Sequence, residues 1–138
     1  MTTDSATLIQ RYFDEVWSEG DTGAQAQLIA PEYRGYWLIA GMPVRQGPAG
    51  HLAWVNAIRA AMPDLRYTIE DIVAGPAKAV ARVTLAGTNS GPLAGQPPTG
   101  KRATAEQIFI FHLAGGQIQQ EWVSFDRGSF MQQLQADG

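Results

Sequence analysis

The sequence predicts one α+β domain, with helices first and a run of antiparallel strands after them. Three observations carry this. Apolar residues recur at helical spacing in the first half and then alternate at period two. Helices and strands are segregated rather than interleaved, which argues against a doubly wound α/β fold. No repeat, low-complexity tract or linker divides the 138 residues, a length that suits one domain. A chain of this size buries roughly 68–70% of its unfolded surface and needs no metal or disulfide to fold.

Ser5 to Ser18 reads as a helix, with Leu8, Ile9, Tyr12, Phe13, Val16 and Trp17 on one stripe. Asp4 or Ser5 caps its start and Gly20 stops it. A second helix spans about Thr22 to Ile29, with Asp21 as N-cap and Pro31 as terminator. Tyr33 to Ile39 is a strand, and Gly41-Met42-Pro43 a turn. The third helix starts at Gly47-Pro48, with proline in the first turn, and runs to about Met62. Leu52, Val55, Ile58 and Met62 form its apolar stripe.

The period then changes. Leu65 to Ala74 alternates, with Leu65, Tyr67, Ile69 and Val73 on one face. Ala79 to Thr88 is the next strand, and the Gly/Pro-rich stretch from Asn89 to Gly100 is a loop. Lys101 to Leu113 and Gln117 to Phe125 form a hairpin across Ala114-Gly115-Gly116. Gly128 to Gln135 is a short tail helix.

Composition excludes several chemistries. With no cysteine, there is no disulfide, thiolate zinc site, iron–sulfur site or cysteine nucleophile. The net charge of −3 shows no basic stripe, so nucleic acid is not an expected partner. No apolar run reaches the ~20 residues of a membrane-spanning helix. The first residues lack the basic and apolar regions of a signal peptide, and the expected location is cytoplasmic.

The last hairpin is apolar on both faces. In Ile108-Phe109-Ile110-Phe111 the phenylalanines point one way and the isoleucines the other, where a half-buried strand would alternate with polar residues. Val123 and Phe125 oppose Trp122 in the partner strand. One face covers the helices. The other is expected to pair with a second copy, making a homodimer through Ile108, Ile110 and Trp122. The alternative cover is the N-terminal helix of the same chain.

An ordered set of segments carries a family resemblance: Phe13-Asp14-Glu15-Val16-Trp17-Ser18-Glu19-Gly20-Asp21, Ala30-Pro31-Glu32-Tyr33, Gly47-Pro48 and Met62-Pro63-Asp64-Leu65. It continues through Gly95 to Arg102, Gly116-Gln117-Ile118, Glu121-Trp122, Asp126 and Gln133-Leu134. In this order they resemble the SnoaL-like polyketide cyclases, or ester cyclases, of the NTF2-like superfamily. The resemblance implies a cone-shaped barrel, its curved sheet wrapped around the helices and a small-molecule pocket inside. It implies acid–base chemistry on polyketide-like rings without a cofactor.

The family's founding nogalonic acid methyl ester cyclase uses an aspartate on its last strand, near a histidine that follows a glutamine by two residues. Matching that glutamine to Gln107 puts Phe109 at the histidine and Val123 at the aspartate. Valine cannot move a proton, so the same aldol mechanism with the same residues is not expected.

By strand parity Gln107, Phe109, Phe111, Glu121, Val123 and Phe125 share the inner face. Glu121 is the best remaining ionisable group there, and an acid beside phenylalanines has a raised pKa. The alternative is a rim carboxylate paired with Arg82, Lys101 or Arg102. Asp126 either reaches the pocket mouth or caps the tail helix. Gln107 either polarises a substrate carbonyl or bonds across the sheet. Tyr12, Trp17, Tyr36, Trp37 and Trp54 join Phe109, Val123 and Phe125 as candidate pocket lining, with core packing as the alternative. His51 and His112 are the two histidines, with no metal spacing; His51 is expected on the solvated side of its helix and His112 at the surface.

Two functions follow. One is an enzyme of acid–base chemistry (a cyclase, isomerase, hydratase or hydroxylase) with Glu121 or Asp126 as acid/base and Gln107 on a carbonyl. The other is a ligand-binding or interaction module without chemistry.

Overall fold

The computed structural model describes residues 4–135. Among them are four α-helices and one curved, unclosed six-stranded sheet in the order β2-β1-β6-β5-β4-β3. Helix α1 (Ser5–Arg11) runs into a π-helical stretch, Tyr12–Ser18; α2 is Thr22–Leu28 and β1 is Ile29–Trp37. The two-residue β2 (Arg45–Gln46) leads directly into α3 (Gly47–Ala61). Then come β3 (Arg66–Ala74), β4 (Lys78–Thr88), β5 (Arg102–Ala114), β6 (Gln117–Phe125) and α4 (Arg127–Leu134).

Local chemistry sets most boundaries. Asp21 caps α2 by accepting from the amides of Gly23 and Ala24. Gly20, at φ 68°, makes the left-handed turn between the π-helical stretch and α2. Gly115 and Gly116, both at positive φ, close the β5–β6 hairpin.

Four expectations need correction. The first helix is not α-helical throughout. From Tyr12 its turns widen to i→i+5 bonding, which brings Tyr12 and Trp17 closer to one face than α-helical spacing would. Pro31 does not end α2; the chain is already extended at Ile29, and Pro31 lies within β1. The sheet is mixed: β1 runs parallel to β6, opposing Gly35 to Glu121 and Trp37 to Val123, while the other pairs are antiparallel. Val73 points outward at 67% exposure, because a register shift between Ile69 and Asp71 inverts the faces beyond it.

The helices fill the concave side of the sheet. Tyr12, Phe13, Val16 and Trp17 pack against Tyr67, Phe109 and Phe111 in one aromatic core. The face assignment of the hairpin matches the sequence reading: Gln107, Phe109, Phe111, Glu121 and Val123 are buried, and Ile108 and Ile110 are exposed. No helix among the described residues is long and apolar enough to cross a membrane.

Candidate active site

Glu121 stands on the inner face of β6, fully enclosed. Its neighbour across the β1–β6 pairing is Gly35, whose missing side chain leaves room for two partners of the carboxyl. A Cβ at position 35 would collide with the Tyr33 hydroxyl and the Arg45 guanidinium, which occupy the space beside the carboxyl. The Tyr33 hydroxyl donates to Oε1 at 2.5 Å. The Tyr12 hydroxyl lies 2.5 Å from Oε2. Arg45 brings Nη2 to 3.9 Å from Oε1 and turns Nε toward the Tyr33 oxygen at 3.4 Å. Its guanidinium carbon lies 3.9 Å from the centre of the Trp54 ring and 5.1 Å from that of Trp37, a cation stacked among indoles.

A second shell of bonds extends from Tyr12. Its oxygen is 2.7 Å from His51 Nε2, and His51 Nδ1 is 2.5 Å from Gln25 Oε1. Gln25 donates from Nε2 to the Pro48 carbonyl at 3.1 Å. The His51 ring is buried against Tyr12, Tyr33, Trp17 and Trp54.

Burial sets the electrostatics. It raises the Glu121 pKa, against the opposing pull of Arg45 and the Tyr12 and Tyr33 bonds. It pushes His51 down to about 3, with the Arg45 charge adding to the effect. Burial and the neighbouring Glu121 also raise the Tyr12 and Tyr33 hydroxyls.

These shifts predict a pH signature. The stabilising contribution of Glu121 is complete below its ordinary 4.5 and is lost as pH rises toward its folded value. That of His51 is complete above its ordinary 6.5 and is lost as pH falls toward about 3. Between 4.5 and 6.5 the two slopes oppose one another in the wild type. Glu121→Gln keeps only the His51 slope. Its stability is expected to climb relative to wild type by up to about 1.4 kcal/mol per pH unit across that window. Urea unfolding of both proteins at several pH values reads this, and parallel curves would sink it.

Beside the cluster lies a cavity of about 40 Å³ lined by Trp17, Trp37, Trp54, Tyr67, Gln107 and Phe125, with Ile58, Met62, Leu85, Leu93 and Phe130 completing its wall. Tyr67 donates to Gln107 Oε1 at 2.8 Å, so Gln107 faces the cavity as part of a polar pair in an apolar lining. Glu121 does not line this space; Trp37 and Trp54, which do, pack against Arg45. The cavity is far smaller than the roughly 300–1,000 Å³ of a small-molecule pocket. Leu93 also lines a surface groove of about 310 Å³ between the 89–100 loop and α4, with Met131 and Leu134.

Several sequence-predicted site residues fall elsewhere. Tyr36 lies on the outer face, stacked on Trp122 at 5.3 Å, because β1 parity points it away from the helices. Tyr12, Phe109 and Val123 are packed in the core outside the cavity lining. Asp126 is exposed and caps α4 by accepting from the Ser129 amide at 2.9 Å. Glu121 is no rim carboxylate: Arg82 pairs with Glu106, and the cation near Glu121 is Arg45. His51 is not solvated but fully buried. His112 is half-buried, with its ring against Trp122 at 4.6 Å.

Sequence reasoning missed Tyr33, Arg45, Gln25 and the burial of His51. One signal was readable: His51 precedes Val55, Ile58 and Met62 by four, seven and eleven residues, which places it on the apolar stripe of α3.

The SnoaL-like polyketide cyclase profile matches residues 7–134, and the chain belongs to that family. TsrD from Streptomyces laurentii is 30% identical, with a TM-score of 0.82 over 98% of this chain and 99% of that one. A candidate polyketide cyclase from Acidithiobacillus ferrooxidans is 26% identical, with a TM-score of 0.84 over 97% and 96% of the two chains. A SnoaL-like protein from Jannaschia sp. CCS1 shares the fold at 22% identity, with a TM-score of 0.86 over 96% and 92%. None of the curated proteins compared matches this chain. The architecture is thus the NTF2-like cone of that family.

Proposed function

We propose that this protein is an acid–base enzyme acting on an apolar ring compound that carries a carbonyl group. Glu121 serves as its acid/base, and Gln107 hydrogen-bonds the carbonyl. The observation that carries this reading is the fully buried carboxyl of Glu121, bonded by two tyrosine hydroxyls and coupled through one of them to a buried histidine. Perturbed ionisable groups inside a fold of this kind concentrate at functional sites. The cavity's lining, apolar with one polar pair, suits the orientation of a carbonyl, although at about 40 Å³ the cavity must widen to hold a ring. Glu121 does not line the cavity, so the reaction also requires the ring to be brought within its reach.

The test is hydrogen–deuterium exchange at the carbon next to the carbonyl of ring ketones such as 2-tetralone, followed by NMR in heavy water. Wild-type protein is expected to accelerate exchange. Glu121→Gln is expected to reduce that acceleration by about 10²-fold or more. Equal rates for the two proteins defeat the assignment.

A second reading, a binding module without chemistry, is favoured by one observation. Phe109 and Val123, fully buried and paired with each other, take the places of the founding cyclase's histidine and aspartate in the gap-free match through Gln107. Tight binding of ring ketones with no exchange in any of them selects it.

We also propose that the outer sheet face is a homodimer surface. Ile108 is 48% and Ile110 38% exposed, beside Val80 and the Tyr36–Trp122 stack. Sedimentation velocity is expected to give a dimer for wild type and a monomer for the Ile108→Glu/Ile110→Glu double variant. Identical sedimentation of the two proteins counts against it.

A further inference from the structure

The hydrogen bonds around Glu121 can be counted, and the count needs one proton more than the simplest ionisation state provides. Gln25 donates its amide nitrogen to the Pro48 carbonyl, which can only accept. Its Oε1 therefore faces His51 Nδ1, and that nitrogen must carry a hydrogen. With Nδ1 protonated, Nε2 of a neutral imidazole is an acceptor. The Tyr12 hydroxyl then lies between two acceptors, His51 Nε2 at 2.7 Å and Glu121 Oε2 at 2.5 Å. It has one hydrogen to give, and the Tyr33 hydrogen is already committed to Oε1. An ionised glutamate with a neutral histidine leaves one of the two short contacts at Tyr12 without a hydrogen.

We propose that the resting Glu121–Tyr12–His51 chain holds one additional proton, with His51 and Gln25 as the positioning residues that require it. This rests on the acid–base reading above and deepens it: the site meets its ligand loaded as an acid. In the resting arrangement Glu121 Oε2–H donates to the Tyr12 oxygen, and Tyr12 donates to His51 Nε2. When a ligand oxygen takes the proton, the Oε2–H bond breaks, its electron pair stays on the carboxylate, and the hydrogen bonds to the ligand oxygen. Tyr12 can then turn its own hydrogen from His51 Nε2 to the ionised Oε2. Arg45 has a place in this scheme. Its Nη1 and Nη2 are buried without hydrogen-bond partners, 3.9 Å from the carboxyl in the case of Nη2. They face a negative charge that exists only once Glu121 has released its proton. The ligand class that takes a proton from such a site is one with a basic oxygen, a carbonyl or an enolate.

The count is read without any substrate, so a protein that fails the exchange assay still tests it. Infrared difference spectra of wild type against Glu121→Gln at neutral pH are expected to show a protonated carboxyl band. Nitrogen-15 NMR is expected to show His51 protonated at Nδ1 and bare at Nε2. If Glu121→Gln does not fold, carbon-13 NMR of glutamate-labelled wild type reads the same carboxyl. An ionised Glu121 with imidazolium at His51 also carries the additional proton and supports the count. An ionised Glu121 with neutral His51 overturns it. Gln25→Leu supplies the test of positioning. Without the Gln25 acceptor, His51 can carry its hydrogen on Nε2 and donate to Tyr12, and the chain no longer needs the extra proton. The protonated carboxyl signal is then expected to fall, and an unchanged signal removes Gln25 and His51 from this role.

Discussion

Replacing Glu121 by alanine is expected to lower the unfolding free energy by about 3–5 kcal/mol. The carboxyl is the hub of the buried polar cluster. Its removal takes the acceptor from the Tyr33 hydroxyl, takes one of two partners from Tyr12, and leaves the Arg45 guanidinium with no carboxyl near it. Each buried polar group stranded in this way costs about 1–3 kcal/mol. Glutamine retains the shape and an acceptor oxygen, so Glu121→Gln is expected to lose much less. Urea denaturation of both variants measures the gap. An alanine variant as stable as the glutamine variant would show that the cluster is hydrated and relaxed rather than closed.

Introducing an acid at Val123, the position that the match through Gln107 gives to the founding cyclase's aspartate, is expected to be as damaging. Val123 is fully buried and pairs with Phe109 across the sheet, among Phe111 and the other core aromatics. A carboxylate introduced there stands between apolar residues on both neighbouring strands, Phe109 of β5 and Trp37 of β1. Burial of this kind raises a carboxyl pKa by up to 3–5 units, at about 1.4 kcal/mol per unit. Val123→Asp is therefore expected to cost about 4 kcal/mol or more at neutral pH. The sign with pH is fixed: the aspartate is protonated in the native protein and ionised in the unfolded one, so the deficit shrinks as pH falls toward the ordinary aspartate range. Urea unfolding at neutral and acidic pH checks this, and a deficit that does not change with pH contradicts it.

These two positions show what was legible in the chain. Period-two alternation told Glu121 and Val123 from Trp122, because a strand's faces depend only on local order. It failed at Val73, where the register shift after Ile69 inverts the faces without a glycine or proline to mark it. The partners of Glu121 were hidden for a different reason. Tyr33 reaches it through the parallel pairing of β1 with β6, and Arg45 through a two-residue strand, and neither arrangement has a local periodic signature. Gln25 is a polar residue next to the Ala24–Leu28 stripe, and its inward turn depends on the Pro48 carbonyl meeting it. His51 was misplaced because a histidine in the first turn of a helix reads as solvated, although its spacing to Val55 and Ile58 put it on the buried side.

The parallel pairing of β1 with β6 has a consequence in time. Tyr33 and Glu121 are 88 residues apart in the chain, and Tyr12 and Glu121 are 109 apart. Contacts of such long range form slowly, since the intervening chain must be ordered before they are rewarded. On a ribosome, Tyr12, Tyr33, Arg45 and His51 all emerge long before the strand that carries the carboxyl. Until that strand docks, Glu121 is an ordinary solvated glutamate. The unusual acid belongs to the finished molecule, and its appearance during refolding would mark the moment at which the first and last parts of the chain have met.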